Sequence, residues 1–176
     1  MSRVTSLSGF QATCRPVREQ CGPEHSQGDR QMLPFLVNMA RLYEMFIAEW
    51  LKANAEIYLV PQNLEIKAQE RVYLDESKSF HFNIDLVLLD IHSGKVRYVL
   101  DTKYKIPEAP SADDTAKIIA YATTQDCPEA VLIYPQPLCK PLNTKISASI
   151  RVRCLTFGID DDIDQCGQKF LQELFA

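Results

Sequence analysis

Two consecutive apolar segments, with an acidic residue inserted at Asp85 in the first and at Asp101 in the second, constrain this fold more than any other feature. Residues 80–91 and 95–105 have the alternation typical of β-strands, and His92-Ser93-Gly94 lies between them. A short polar loop ending in glycine is a hairpin signal. The sequence therefore predicts an antiparallel β-hairpin in the middle of the chain.

Asp85 and Asp101 of this hairpin lie away from its main apolar rows. Because side chains two positions apart share a strand face, Asp101 and Lys103 point the same way, and Lys105 continues their row. On the first strand, Asp85 lies on the side opposite the apolar row. That row consists of Phe80, Phe82, Ile84, Leu86 and Leu88.

The register of the hairpin decides whether the two acids meet. A two-residue turn at Ser93-Gly94 would set Asp85 opposite Thr102, whereas a three-residue loop with a left-handed Gly94 would set it opposite Asp101. The terminal glycine favours the three-residue loop, and a bulge elsewhere would have the same effect. Facing residues have Cβ atoms about 4.5–5.5 Å apart, close enough for both carboxylates to bind one cation.

This pattern of two acids and a lysine predicts a metal-dependent hydrolase. Two adjacent carboxylates repel each other unless a cation compensates them, and Mg²⁺ binds one or two carboxylates together with water and phosphate oxygens. Lys103 can hold the attacking water or stabilise charge on a phosphate. The competing interpretation is a solvated strand face with weak ion pairs, in a structural domain that binds no metal.

The remaining elements are predicted from apolar periodicity, caps and turn residues. They are a helix over 35–53, strands over 56–60 and 64–73, a helix from Ser111 to about Thr124, strands over 129–134 and 147–157, and a helix opening within 160–164. This order predicts the α/β class, with a mixed β-sheet flanked by helices. Residues 1–30 are predicted to be a flexible or weakly helical segment before a domain spanning 31–176.

Charge and hydropathy narrow the function classes. The formal net charge of −4 argues against nonspecific coating of nucleic acid, but allows a local basic patch that grips a few phosphates. Arg151 and Arg153 share a strand face and are candidate phosphate contacts, as is Lys105. No apolar run approaches the roughly 18 residues of a membrane span, and the N-terminus is too polar for a signal-peptide core, so we expect a cytoplasmic protein.

Five segments carry a family resemblance, namely RLYEMFIAEWL (41–51), FNIDLVLLD (82–90), YVLDTKYKIP (98–107), IIAYATT (118–124) and AVLIYP (130–135). In order and spacing they resemble the McrC-type nuclease subunit of McrBC 5-methylcytosine restriction systems, within the PD-(D/E)XK nuclease superfamily. The resemblance implies a restriction-endonuclease-like fold. It also implies that Asp85 and Asp101 bind Mg²⁺, that Lys103 is the catalytic lysine, and that Glu44 is the acidic helix residue that supports the metal.

The chain departs from the family pattern at two positions. Many related nucleases carry Gln-x-x-x-Tyr on the following helix, whereas here Lys117 precedes Tyr121. Both residues are candidate phosphate contacts. Ile84 replaces the proline that precedes the first metal-binding acid, a change that removes no ligand.

The resemblance also implies partners. McrC-type subunits act on DNA together with a GTP-hydrolysing McrB-like partner, and this sequence has no phosphate-binding loop of its own. Cutting both strands would favour a homodimer. The alternative is a non-catalytic DNA-binding or assembly subunit, which Lys117 and the shorter N-terminal region relative to the family favour.

Overall fold

The structure is a computed structural model that describes residues 37–73, 77–79, 81–146, 150–159 and 162–176. All of them belong to one compact unit, Val37–Ala176. The segment 1–30, predicted to be flexible or weakly helical, lies outside the described residues, as do Phe80 and the first residues of the strand predicted over 147–157.

The described residues form helices and strands in alternation along the chain. The helices are α1 (Met39–Ala53), α2 (Ala55–Tyr58), α3 (Ala112–Thr124) and α4 (Ile163–Phe175), with a 3-10 turn at Val60–Gln62. The strands are β1 (Leu64–Tyr73), β2 (His81–Asp90), β3 (Val96–Thr102), β4 (Glu129–Tyr134), β5 (Asn143–Lys145) and β6 (Arg151–Thr156).

These strands form one mixed sheet in the order β1-β2-β3-β4-β6-β5. The pairs β1–β2 and β2–β3 are antiparallel, β3–β4 and β4–β6 are parallel, and β5 runs antiparallel to β6. The change from antiparallel to parallel pairing falls on β3, the strand that carries Asp101. The predicted α/β class with a mixed sheet flanked by helices is confirmed.

Helices cover both faces of the sheet, which explains why the central strands are apolar on both sides. On one face, α1 and α4 pack on a core of buried residues that includes Tyr43, Ile47, Leu51, Leu86, Leu100, Ile133, Phe170 and Leu174. On the other face, α3 packs on a second core that includes Ile84, Val87, Val99, Ile118, Tyr121, Leu132 and Val152. Beneath α3, Asp101 is the charged residue that enters this interior most fully, with 0% of its surface exposed.

Polar caps fix the ends of the helices. The Asn38 side chain accepts from the backbone N–H of Arg41 at 3.1 Å, and Ser111 accepts from that of Asp114 at 3.2 Å. Each bond satisfies an N–H group that has no partner within its helix. The predicted start of α3 at Ser111 is confirmed.

The predicted strand over 56–60 is wrong. These residues form α2 and the following 3-10 turn, and they bury Leu59 completely. A five-residue apolar run cannot distinguish a strand from a helical turn by periodicity. The segment between the strands predicted over 129–134 and 147–157 contains a further short strand, β5. Met39 and Ala40, in the first turn of α1, are exposed. No helix among the described residues is long and apolar enough to cross a membrane.

The hairpin between β2 and β3 reaches the predicted register by a different route. Asp90 pairs with Lys95 across a four-residue loop, Ile91–Gly94, and not across the predicted three-residue loop. The register then shifts between Leu88 and Leu89, which forms a bulge. Gly94 is left-handed as predicted, with φ +66°.

The pairing of β2 with β3 ends at Leu86 and Leu100, in the register that would set Asp85 opposite Asp101 one position further along. The single apolar row predicted on β2 is wrong, however. Leu86 and Leu88 pack under α1 and α4, whereas Ile84 and Phe82 pack under α3. The change of face occurs at Asp85, and the β1–β2 register skips this residue together with Gln69, whose φ is +53°. Asp85 thus lies at an interruption of the β1–β2 pairing.

Candidate metal and catalytic site

Asp101 lies near the end of β3 and is fully buried. The backbone N–H of Lys103 donates to the carbonyl of Ile133 on the parallel neighbour β4 at 2.8 Å, which fixes the chain just beyond the strand. The Lys103 ammonium contacts Oδ2 of Asp101, and only 13% of the Lys103 side chain is exposed. The prediction that Asp101 and Lys103 share a face is confirmed by this contact.

A second lysine reaches the same carboxylate from α3. The Nζ of Lys117 lies 3.2 Å from Oδ1 of Asp101 and 5.2 Å from the centre of the Tyr121 ring. Partial burial alone would lower the pKa of Lys117, but the Asp101 carboxylate and Tyr121 together raise it above its usual value. Both oxygens of Asp101 therefore contact an ammonium group.

Asp85 is held from the neighbouring strand by Thr102. Its Oδ2 accepts from the backbone N–H of Thr102 at 2.8 Å and from the Thr102 hydroxyl at 2.9 Å. Burial and then the nearby charge of Asp101 raise the pKa of Asp85; the bonds from Thr102 oppose this rise, and Glu44 adds to it. The negative charges of both other predicted acids, Asp101 and Glu44, therefore disfavour ionisation of Asp85.

Glu44 enters the site from α1 through a polar cleft. Its Oε1 accepts from the Gln69 side-chain amide at 3.2 Å. A cleft of about 320 Å³ is lined by Arg41, Glu44, Gln69, Arg71, Asn83, Ile84 and Asp85. The cleft brings together the predicted acids Glu44 and Asp85.

Sequence reasoning missed four residues of this site. Thr102 orients Asp85, and Arg41, Gln69 and Arg71 line the cleft. The position of Thr102 between Asp101 and Lys103 is the sequence signal that could have identified it. The cleft residues come from α1 and β1, and their proximity to Asp85 depends on how those elements pack.

Lys105 and Asp114 form a second polar pair beside the site. The Lys105 ammonium contacts Oδ2 of Asp114, which also accepts from the Ser111 hydroxyl at 2.6 Å, and Lys103 lies 3.8 Å from Oδ1. Partial burial raises the pKa of Asp114, but the bonds from Lys105 and Ser111 lower it further than burial raises it. Asp114 therefore tethers Lys105, the predicted phosphate contact, near the end of β3.

The two arginines of β6 have different environments. Arg153 is 5% exposed, and its guanidinium donates to Glu129 at 3.0 Å and to the carbonyls of Glu173 and Leu174 at 2.9 and 2.8 Å. These bonds join the sheet to the C-terminal end of α4, so the predicted phosphate contact by Arg153 does not fit its placement. Arg151 is only partly buried and donates to Asn143 at 3.1 Å.

The residues present fit a magnesium ion held by two carboxylates. No group of three or more His, Cys, Asp or Glu side chains is arranged as metal ligands in the part of the chain that the structure describes. Mg²⁺ does not need such a group, because it keeps several waters beside one or two carboxylates. Burial and then the nearby charge of Asp101 raise the pKa of Asp85, and a bound cation would offset the repulsion between the two carboxylates. Metal binding by Asp85, Asp101 and Glu44 stays a prediction.

Comparison with known proteins identifies a family. A family model described as "McrBC 5-methylcytosine restriction system component" matches residues 6–135 and so covers Glu44, Asp85, Asp101, Lys103 and Lys117. A search of curated proteins gave no match.

Proposed function

The chain belongs to the McrBC family of 5-methylcytosine restriction system components, and from this we propose that it is a Mg²⁺-dependent DNA endonuclease of the McrC type. The observation that carries the proposal is the buried Asp101, with the Lys103 ammonium on its Oδ2 and with Asp85 of the neighbouring strand accepting from Thr102, the residue next to Asp101. These are the groups that a phosphodiester-hydrolysing site needs, namely carboxylates that can hold a metal ion and an amine that can contact the phosphate.

Asp85 and Asp101 would hold the metal, with Glu44 at the mouth of the site. A bound Mg²⁺ supplies a water activated for attack and offsets charge on the phosphate. Thr102 fixes the direction of the Asp85 carboxylate through its two hydrogen bonds. Lys103, anchored by its backbone bond to Ile133, can donate from Nζ to a phosphate oxygen and stabilise the charge that develops there.

The cleft next to Asp85 supports contact with the DNA backbone. Arg41 and Arg71 are exposed and line the same cleft as Asp85. Neither side chain forms an ion pair with another of the described residues. Exposed guanidinium groups bind phosphate oxygens in pairs of hydrogen bonds, so this cleft provides a local basic grip within an acidic protein.

The wider assembly follows from the family. A role in restriction comes with membership, and the proposal adds a GTP-hydrolysing McrB-like partner, since the sequence has no phosphate-binding loop for GTP. Cleavage of both strands would bring two copies of the site together as a homodimer.

A cleavage assay on plasmid DNA with Mg²⁺ tests the proposal. Asp101→Asn and Lys103→Gln should each lose roughly 100-fold or more of the rate, the scale of losing a charge-stabilising group. Asp113→Asn, which removes an exposed acid in the first turn of α3, is the matched control and should cut DNA like the wild type. Circular dichroism would confirm that each variant is folded.

A second candidate function is a DNA-binding subunit that does not cleave. The observation that favours it is Lys117 on Asp101, because a lysine can take the place of the cation and leave a folded, neutral site. Wild-type protein that binds DNA but does not cut it in Mg²⁺ or Mn²⁺, alone or with its GTPase partner, would favour this function over the first.

A further inference from the structure

Lys117 occupies a carboxylate oxygen that the proposed metal would need. We propose that Lys117 is a built-in counterion of Asp101, which a metal ion must displace, so that this residue weakens and sets the metal affinity of the site. The inference rests on the proposed function, since it assumes that Asp101 binds metal.

The contacts around Asp101 define the competition. Asp101 is 0% exposed, so its charge must be balanced by protein groups or by a bound ion rather than by bulk water. Lys103 contacts Oδ2 and Lys117 lies 3.2 Å from Oδ1. With an ammonium group on each oxygen, an incoming cation meets like charge on both sides of the carboxylate, so its binding is favoured when one ammonium group moves away.

Exposure indicates which lysine leaves. The side chain of Lys117 is 46% exposed, against 13% for Lys103. Lys117 can therefore move into solvent at small cost, whereas Lys103 is enclosed between Asp101 and Asp114. The Tyr121 ring, 5.2 Å from the Lys117 ammonium, offers that cation a second favourable surface.

The charge balance leads to the same conclusion. Asp85 and Asp101 carry two negative charges if both are ionised, and Lys103 and Lys117 carry two positive charges. These four groups are then neutral without metal, and a divalent ion added beside both lysines would make them net positive; in the neighbouring cleft, Glu44 is accompanied by Arg41 and Arg71. Lys105 does not enter this balance, because it is bonded to Asp114.

Titration of the full chain with Mn²⁺ alone, followed by calorimetry, tests the inference without measuring activity. Lys117→Gln should bind Mn²⁺ about tenfold more tightly than the wild type, the scale of one charge contact at a partly exposed site. Lys117→Arg keeps a cation at this position and should stay as weak as the wild type. Lys140→Gln, which removes a lysine paired with Glu108, controls for net charge and should change little.

The outcomes separate the inference from the proposed function. Equal Mn²⁺ affinity in the wild type and Lys117→Gln would overturn the counterion role and leave the metal site standing. If Asp101→Asn binds Mn²⁺ as well as the wild type, the ion binds elsewhere, and the proposed function itself fails.

Discussion

Replacing Arg153 by alanine separates a structural arginine from a DNA contact. The guanidinium is nearly buried and donates to Glu129 and to two carbonyls at the end of α4, those of Glu173 and Leu174. Hydrogen bonds to charged groups contribute about 1.5–3 kcal/mol each, and breaking a buried ion pair costs about 3–5 kcal/mol. Because the three bonds share one side chain and are not additive, we expect Arg153→Ala to lower the free energy of unfolding by about 3–5 kcal/mol.

Urea unfolding followed by circular dichroism measures this loss. Arg151→Ala is the matched control on the same strand: Arg151 lies 3.9 Å from a Glu129 oxygen and donates to exposed Asn143, so it should lose at most about 1 kcal/mol. The loss at Arg153 would be a large part of a typical domain stability of about 5–15 kcal/mol. A folded Arg153→Ala protein with unchanged stability but weaker DNA affinity would refute the structural role of Arg153 and support the prediction that it contacts a DNA phosphate.

Three further predictions concern the core, the hairpin and the cleft. Gly167→Ala would place a Cβ 2.2 Å from the ring of Trp50. Although the alanine gains about 1 kcal/mol of helix propensity, we expect a net loss of about 1–2 kcal/mol of unfolding free energy in chemical denaturation, with a changed emission from the single tryptophan. Unchanged stability would show that the ring can move. Hydrogen bonds from Ser93 hold the pKa of Asp90 below its usual value, so the stabilisation by this carboxylate is present above the unfolded pKa of about 3.9 and is lost as pH falls through the folded pKa. The difference in urea midpoint between wild type and Asp90→Asn should therefore shrink in acid. A difference that persists in acid would contradict this prediction. Replacing Arg41 and Arg71 together by alanine should flatten the dependence of log DNA affinity on log salt by about 0.9 per lost phosphate contact, measured by fluorescence anisotropy, whereas an unchanged slope would exclude both residues from the DNA interface.

The features predicted correctly from sequence are those fixed by local pattern. The apolar alternation gave β1, β2 and β4 close to their observed bounds, and Ser111 marked the start of α3. Lys103 follows Asp101 by two positions, just beyond the end of β3, and the chain stays extended enough for strand geometry to account for their contact.

The features missed depend on packing between distant segments. The sequence allows a bulge in the hairpin but does not place it between Leu88 and Leu89, because no single residue type marks a bulge. The strand pattern places Arg153 on an exposed face, but in the fold the end of α4, about 20 positions further along the chain, covers its guanidinium. Lys117 was recognised as a departure from the family pattern, but its contact with Asp101 required the placement of α3 on the sheet.

The position of a bound Mn²⁺ ion, found by anomalous diffraction from crystals soaked in the metal, tests the central claim most directly. The account predicts a peak between the carboxylates of Asp85 and Asp101, with Lys117 moved away from Oδ1 of Asp101. Crystals in which the carboxylates keep only their lysine and threonine partners at saturating Mn²⁺, or in which the ion lies elsewhere, would contradict it.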